Sequence, residues 1–109
     1  MSNHDRIAVR YEFEARFVLR FCRAGQDLMT QGWTRDLSES GVGAFVAEDL
    51  TIGDLVTLQV PLGFMGNEAI NARVSRREGT QYGFQFIALS AEQRLAIRAA
   101  LEGQKEIPY

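Results

Sequence analysis

The sequence predicts a mainly β protein, a six-stranded antiparallel barrel followed by one C-terminal helix. In several short segments apolar residues alternate with polar ones, which is the period of a strand that buries one face. Glycine and polar turn residues separate these segments at short intervals, as in antiparallel sheets. Near the C-terminus the apolar period becomes helical. Closure into a barrel is favoured because it removes the exposed strand edges through which chains associate.

The strand pattern occurs in six segments, residues 15–23, 28–35, 43–47, 55–62, 69–76 and 82–88. In the first segment, Phe17, Leu19 and Phe21 alternate with other side chains and are expected to form a core row. The last two segments predict a hairpin with a packed aromatic row. In the second segment, Gly32 is a candidate bulge, and we expect Trp33 to lie in the core.

The sequence Ser90-Ala-Glu-Gln93 predicts the start of the helix, which should run from about residue 91 to residue 102. Ser90 can accept a hydrogen bond from the amide of Gln93 while the Gln93 side chain returns to the cap, the arrangement of a capping box. Ile97 and Leu101 lie on one side of this helix and are expected to cover an open end of the sheet.

Length and composition exclude several classes of protein. The chain has 109 residues and a net charge of −2, which suits one domain and disfavours a nonspecific nucleic-acid binder. It contains no run of about 20 apolar residues and does not begin like a signal peptide, so a cytoplasmic location without membrane insertion is expected. With one cysteine, one histidine and no evident pairing of a nucleophile with a base, it predicts no cofactor, no metal site and no enzyme.

A polar turn, Asp36-Leu-Ser-Glu-Ser-Gly41, lies between the second and third predicted strands. It offers a carboxylate, a hydroxyl and a residue without a Cβ within a few positions, which suits the edge of a ligand site. A plain turn also explains these residues, because Asp and Ser readily bond neighbouring backbone groups. Upstream, Arg6 and Arg10 place two guanidinium groups in a segment without strand or helix period. The turn and the arginines together predict an anion site.

The sequence divides into three parts. Residues 1–14 are predicted to form a flexible N-terminal lead that carries both arginines, with Tyr11 and Phe13 as candidate anchors against the domain. Residues 15–103 are predicted to form the barrel domain with its helix, and residues 104–109 a short tail.

Three short motifs, in this order along nearly the whole chain, resemble those of the PilZ domain, a bacterial module that binds cyclic di-GMP: Arg6-x-x-x-Arg10, Asp36-x-Ser38-x-x-Gly41 and Tyr82-Gly83-x-x-Phe86. The resemblance implies a six-stranded antiparallel PilZ-type barrel with a C-terminal helix, in agreement with the periodicity. It also implies a cyclic di-GMP receptor whose ligand is bound by the residues of the first two motifs.

The residue types in these motifs suit this ligand. Arg6 and Arg10 can donate to phosphate oxygens or to the O6 and N7 edge of guanine, or stack on its face. The Asp36 carboxylate can accept from guanine N1 and N2, the Ser38 hydroxyl can accept or donate, and Gly41 allows close approach to the backbone. We expect the lead to close over the turn when ligand is present, which would change the surface shown to a downstream protein partner.

Three other functions each make a demand on the sequence. A PilZ-like adaptor that binds proteins but no nucleotide is disfavoured because all five motif residues are intact. An enzyme, such as a phosphodiesterase or a flavin reductase, would need a metal cluster or an activated nucleophile. A nucleic-acid-binding barrel needs aromatic residues interleaved with basic ones on an exposed strand face, whereas Phe17, Leu19 and Phe21 are assigned to the core.

Overall fold

A computed structural model of the protein describes residues 9–62 and 67–108. Its elements are seven strands and one helix, and they agree with the six predicted strand segments except for one additional short strand at the N-terminal end. In chain order they are β1 (Tyr11–Glu12), β2 (Arg16–Arg23), β3 (Gln26–Leu37), β4 (Gly41–Val46), β5 (Leu55–Pro61), β6 (Asn67–Glu78), β7 (Gln81–Phe86) and α1 (Ala91–Leu101).

Six of these strands close into an antiparallel barrel, which confirms the predicted fold. The order around the barrel is β3, β2, β5, β6, β7 and β4, and β4 pairs back with β3. β1 pairs with β3 beyond the end of β2 and so lies outside the closed ring. The sequence analysis did not predict β1, because two residues are too few to show a period.

The hydrophobic core fills the inside of the barrel, and the alternation seen in the sequence accounts for it. Its inward rows are Phe17, Leu19 and Phe21 on β2, Val56, Leu58 and Val60 on β5, Ile70, Ala72 and Val74 on β6, and Tyr82, Phe84 and Phe86 on β7. Burial of each large apolar side chain contributes roughly 1.5–3 kcal/mol to folding. The helix adds Ile97 and Leu101 to the same core, as expected.

The predicted capping box begins the helix. The Gln93 amide donates to Ser90 Oγ at 3.0 Å, and the Ser90 amide donates to Gln93 Oε1 at 3.1 Å. Gln93 Nε2 also donates to the carbonyl of Ala69 at 2.9 Å, which ties the start of the helix to β6. Within the described ranges, no helix has the length and apolar character needed to cross a membrane.

Two expectations for β3 are wrong. Trp33 lies on the outer face of the barrel and is 44% exposed. The inner side of the preceding residue, Gly32, is filled by a neighbour, since a Cβ built there would lie 2.5 Å from Cε1 of Phe17. Gly32 therefore makes room for a core ring and is not a bulge. The irregularity in β3 lies two residues later, between Thr34 and Asp36.

Candidate ligand-binding face

The register of β1 sets the position of Arg10. Tyr11 pairs with Leu37, and Glu12 pairs with Asp36. Arg10 is the residue before Tyr11, and the strands are antiparallel, so Arg10 lies beside the turn that follows β3. Its side chain is half-buried. One arginine of the predicted site is thus brought to the Asp36 turn by backbone pairing alone.

The C-terminal tail holds the same segment from its other side. The amide of Ile107 donates to the carbonyl of Arg10 at 2.8 Å, and the amide of Glu12 donates to the carbonyl of Lys105 at 2.8 Å. The tail therefore binds the backbone at Arg10. The residue that follows Arg10 begins β1, which is paired with β3. The other predicted arginine, Arg6, lies outside the described residues.

A β-bulge gives the Asp36 side chain its direction. The pairing of β3 with β4 shifts between Thr34 and Asp36, with Arg35 as the extra residue. Thr34 and Leu37 are both buried, at 0% and 1% exposure, so two consecutive residues between them face outward. In a regular strand, consecutive residues would face opposite sides. The bulge thereby presents Arg35 and Asp36 together on the outer surface.

A second bulge, on β6, presents Arg76 on the outer surface in the same way. The pairing of β6 with β7 shifts between Val74 and Arg76, which leaves Ser75 as the extra residue. Ser75 Oγ donates to the carbonyl of Gly83 at 3.1 Å and fixes this bulge against β7. Arg76 is then paired directly with Gly83.

Asp36 and Arg76 stand at the two ends of one row that crosses four strands. Asp36 pairs with Gly43, Gly43 pairs with Gly83, and Gly83 pairs with Arg76. A Cβ built on Gly43 would lie 2.7 Å from Asp36 Oδ2, and one built on Gly83 would lie 3.2 Å from Arg76 Nε. Each charged side chain therefore covers a glycine. We term Gly43 and Gly83 the glycine row.

The space between these two side chains is small and open to solvent. Asp36 and Arg76 line a cavity of about 30 Å³, together with Arg35, Gln81 and Gly43. This volume holds about one water molecule. A nucleotide is too large to be enclosed there, and a ligand of that size could lie only across the outer surface.

Ser38 and Gly41 hold the turn itself together. Ser38 is buried, and its Oγ accepts from the amides of Ser40 and Gly41, each at 3.2 Å. The Ser38 amide donates to the carbonyl of Gly41 at 2.9 Å. A Cβ built on Gly41 would lie 2.2 Å from the carbonyl oxygen of Phe84, so β7 leaves no room for a side chain. Both residues have structural roles, and their contact with a ligand stays a prediction.

Tyr82, in the third motif, anchors the loop after β4. Its hydroxyl donates to the carbonyl of Glu48 at 2.5 Å and accepts from the amide of Leu50 at 3.0 Å. The guanidinium of Arg77 lies 5.2 Å from the centre of the Tyr82 ring. Arg77 also forms a hydrogen-bonded ion pair with Asp49, and this hydrogen bond lowers the pKa of the Asp49 carboxyl below its usual value. Next to it, Gly83 contributes to the glycine row.

The sequence analysis did not identify Arg76 or Arg35 as site residues. Arg76 stands in a run of charged residues at the end of β6, where its type carries no signal. Its proximity to Asp36 depends on the pairing of four strands and on the offset at two bulges. One sequence feature does point to the position of Arg76. It is Gly83, the strand partner of Arg76, because a glycine within a strand indicates close approach of another group.

Comparison with known proteins gives one family and several structures of the same fold. The model of the PilZ domain family matches residues 3–103. The PilZ domain of CeSA, from a cellulose-synthesizing bacterium, is 18% identical over 86% of this chain and 95% of its own, with a TM-score of 0.67. The PilZ domain of YcgR from Escherichia coli, solved with c-di-GMP, is 15% identical over 84% of this chain and 85% of its own, with a TM-score of 0.65.

The chain is also similar to part of a longer protein. MrkH from K. pneumonia is 17% identical, and the match covers 93% of this chain but 48% of MrkH, with a TM-score of 0.59. Among curated proteins, none matches the sequence. At these levels of identity the structural similarities concern the fold.

Proposed function

The chain belongs to the PilZ domain family, and from this premise we propose that it is a bacterial receptor for cyclic di-GMP that acts without catalysis. The observation that carries the proposal is the register of β1, which puts Arg10 beside the turn that follows Asp36. The backbone of a donor residue thus lies next to the turn that follows an acceptor residue far from it in sequence. Further support comes from YcgR, a PilZ domain of similar fold solved with c-di-GMP.

In the proposed complex, Asp36 recognises a guanine base. Its carboxylate accepts from guanine N1 and N2, the two donors on that edge. Arg76, at the other end of the glycine row, donates to guanine O6 and N7 or to a phosphate oxygen. Because Gly43 and Gly83 carry no side chains that would stand between these two charges, a flat purine that lies across the outer surface can meet both of them. Arg6 and Arg10 bind the phosphates from the side of the lead.

Ser38 and Gly41 act in this proposal mainly through the shape of the turn. The hydrogen bonds of the Ser38 hydroxyl hold Ser40 and Gly41 in place. The position of Asp36 at the end of β3 depends on that turn. The remaining hydrogen-bonding capacity of the Ser38 hydroxyl can serve the ligand, as the motif implies.

The proposed output is a change in the surface offered to a partner protein. When the arginines bind the ligand, the part of the lead before β1 is fixed over the Asp36 turn. A segment that becomes ordered in this way can create or cover a docking surface. Binding energy of the ligand is thereby converted into a signal without any chemical step.

Isothermal titration with cyclic di-GMP tests the proposal, with GMP as the control ligand. We expect saturable binding of the dinucleotide that weakens as ionic strength rises, because the arginines meet phosphates. Asp36→Ala should weaken binding by about 1.5–3 kcal/mol, the cost of losing a hydrogen bond to a charged group. Asp27→Ala, on the same strand but far from the turn, should bind as the wild type does. Absence of binding by the folded protein would contradict the receptor function and favour the nucleotide-free adaptor.

A further inference from the structure

Two large aromatic side chains lie next to each other on the outer surface of the barrel. Trp33 on β3 and Phe45 on β4 are cross-strand partners, with exposures of 44% and 38%. Aromatic rings dominate cores and interfaces because burying them is strongly favourable. An exposed pair side by side on a sheet is therefore a candidate surface for binding another molecule.

Both rings already have a guanidinium group above them. The Cζ of Arg16 lies 5.9 Å from the centre of the Trp33 ring, and the Cζ of Arg35 lies 5.3 Å from the centre of the Phe45 ring. Each contact shows that a flat group can lie over the ring from the outer side of the barrel. The rings line an open depression of about 490 Å³, within the size range of small-molecule sites.

This aromatic surface is continuous with the proposed ligand site. Phe45 is two residues from Gly43 on the same face of β4, a separation of roughly 7 Å along a strand. Arg35 connects the two places, since it lies over Phe45 and also lines the cavity beside Asp36. Its Nη1 donates to Gln81 Oε1 at 2.7 Å, which fixes the guanidinium between them.

We propose that Trp33, Arg35 and Phe45 form a stacking subsite for the second guanine of the cyclic dinucleotide. This inference rests on the proposed function. The ligand carries two bases, and in the proposed complex one of them lies across the outer surface between Asp36 and Arg76. The other base then lies over Phe45 or Trp33, with the Arg35 guanidinium against its face or its O6 and N7 edge.

The same surface has the pattern of basic and aromatic residues that binds single-stranded nucleic acid. The cyclic dinucleotide is favoured because the aromatic surface adjoins Asp36 and because the chain carries a net charge of −2. Binding of single-stranded nucleic acid to this surface is one of the outcomes that the experiment below distinguishes.

Trp33 is the single tryptophan of the chain, so intrinsic fluorescence reports directly on this subsite. Cyclic di-GMP is titrated against the 109-residue chain by calorimetry and by fluorescence. We expect the emission of Trp33 to be quenched with the same midpoint as the heat signal. Phe45→Ala should weaken binding roughly 5- to 150-fold, the range for loss of one stacked base. Phe45→Leu keeps apolar volume without a ring face and should lose nearly as much.

The control is Leu95→Ala, which removes an apolar side chain of 63% exposure on the helix and should leave binding unchanged. Normal calorimetric binding with unaltered Trp33 emission and unaffected Phe45 variants would overturn the subsite while leaving the receptor function intact. No binding of cyclic di-GMP would overturn both. Quenching by an oligothymidylate but not by the dinucleotide would also overturn the inference and assign the surface to single-stranded nucleic acid.

Discussion

The carboxylate of Asp36 lies over Gly43, in the space where a side chain would begin. A Cβ built on Gly43 would be 2.7 Å from Oδ2 and 2.9 Å from Oδ1 of Asp36. The bulge at Arg35 turns the carboxylate outward, and the missing Cβ lets it rest on the backbone of β4. The position of the proposed guanine acceptor is thus set by a glycine on the neighbouring strand.

Gly43→Ala tests whether binding needs the Asp36 carboxylate in its present position, because the variant keeps this carboxylate but displaces it. The added methyl group meets the flexible end of the Asp36 side chain, which can move away at little cost. Since alanine is also better than glycine within a strand, the thermal midpoint should hardly change. Affinity for cyclic di-GMP should fall by about 1 kcal/mol or more, because the displaced carboxylate no longer meets the base. Calorimetry and thermal denaturation of the same preparation measure both quantities. Wild-type affinity in a stable Gly43→Ala protein would contradict the role of the glycine row.

Gly41→Ala should behave in the opposite way and affect stability first. Its Cβ would lie 2.2 Å from the backbone carbonyl oxygen of Phe84, so β4 and β7 would have to move apart. We expect a loss of about 3 kcal/mol in the free energy of unfolding, the upper end for overpacking. Gly79→Ala is the matched control, because its Cβ meets no atom within 4 Å although φ is +62°. The control should lose about 1–2 kcal/mol from backbone strain alone.

Denaturant unfolding of the ligand-free proteins decides between these roles for Gly41. If the Gly41→Ala protein is no less stable than the Gly79→Ala protein, steric contact with β7 does not explain why position 41 is a glycine. The close approach of ligand to the backbone would then be the better explanation of its place in the motif.

Most of the barrel is predictable from sequence, because a period of two requires only local information. The rows of β2, β5, β6 and β7 all face the core as expected. β3 is different, since its first residues extend beyond the core and are exposed on both faces. One of its core positions is Thr34, whose hydroxyl donates to the carbonyl of Phe13 at 2.7 Å and accepts from the amide of Ala15 at 2.8 Å. Because Thr34 is polar and a bulge follows it, the pattern of apolar residues does not show that Trp33 faces outward.

The candidate site was predictable only in part. The order of the motifs indicated that Arg10 and Asp36 belong together, and the β1 register puts the two segments side by side. Arg76 requires knowledge of four paired strands and two bulges, which are long-range features. Neither the residue type nor the local spacing of Arg76 contains that information.

Arg76→Ala should weaken binding of cyclic di-GMP without loss of stability. The side chain is exposed and its proposed partner is a guanine edge or a phosphate, so we expect a loss of about 1.5–3 kcal/mol. Arg76→Lys keeps the charge but not the planar fork and should recover only part of this. Arg73→Ala is the control, because Arg73 is an exposed arginine on the same strand that lies outside the cavity beside Asp36. Equal affinities for the Arg76→Ala and Arg73→Ala proteins would remove Arg76 from the site.

The last prediction concerns the lead and compares its two arginines. The tail and β1 hold the backbone at Arg10, so this side chain loses less conformational entropy on binding than Arg6, four residues farther out. Arg10→Ala should therefore reduce affinity at least as much as Arg6→Ala. Both variants should leave the thermal midpoint of the ligand-free protein almost unchanged, and calorimetry with thermal denaturation measures these effects.

Amide hydrogen exchange tests the ordering of the lead directly. The amides of Glu12 and Phe13 donate to Lys105 at 2.8 Å and Arg35 at 3.1 Å, so they should exchange slowly with and without ligand and serve as internal references. Saturation with cyclic di-GMP should increase the protection of residues 5–10, because the arginines fix the backbone over the Asp36 turn. In Asp36→Ala this increase should require more ligand, in proportion to the loss of affinity. If protection of residues 5–10 is unchanged at saturation while calorimetry reports binding, the ligand is held without ordering the lead, and the signal must leave the barrel by another surface.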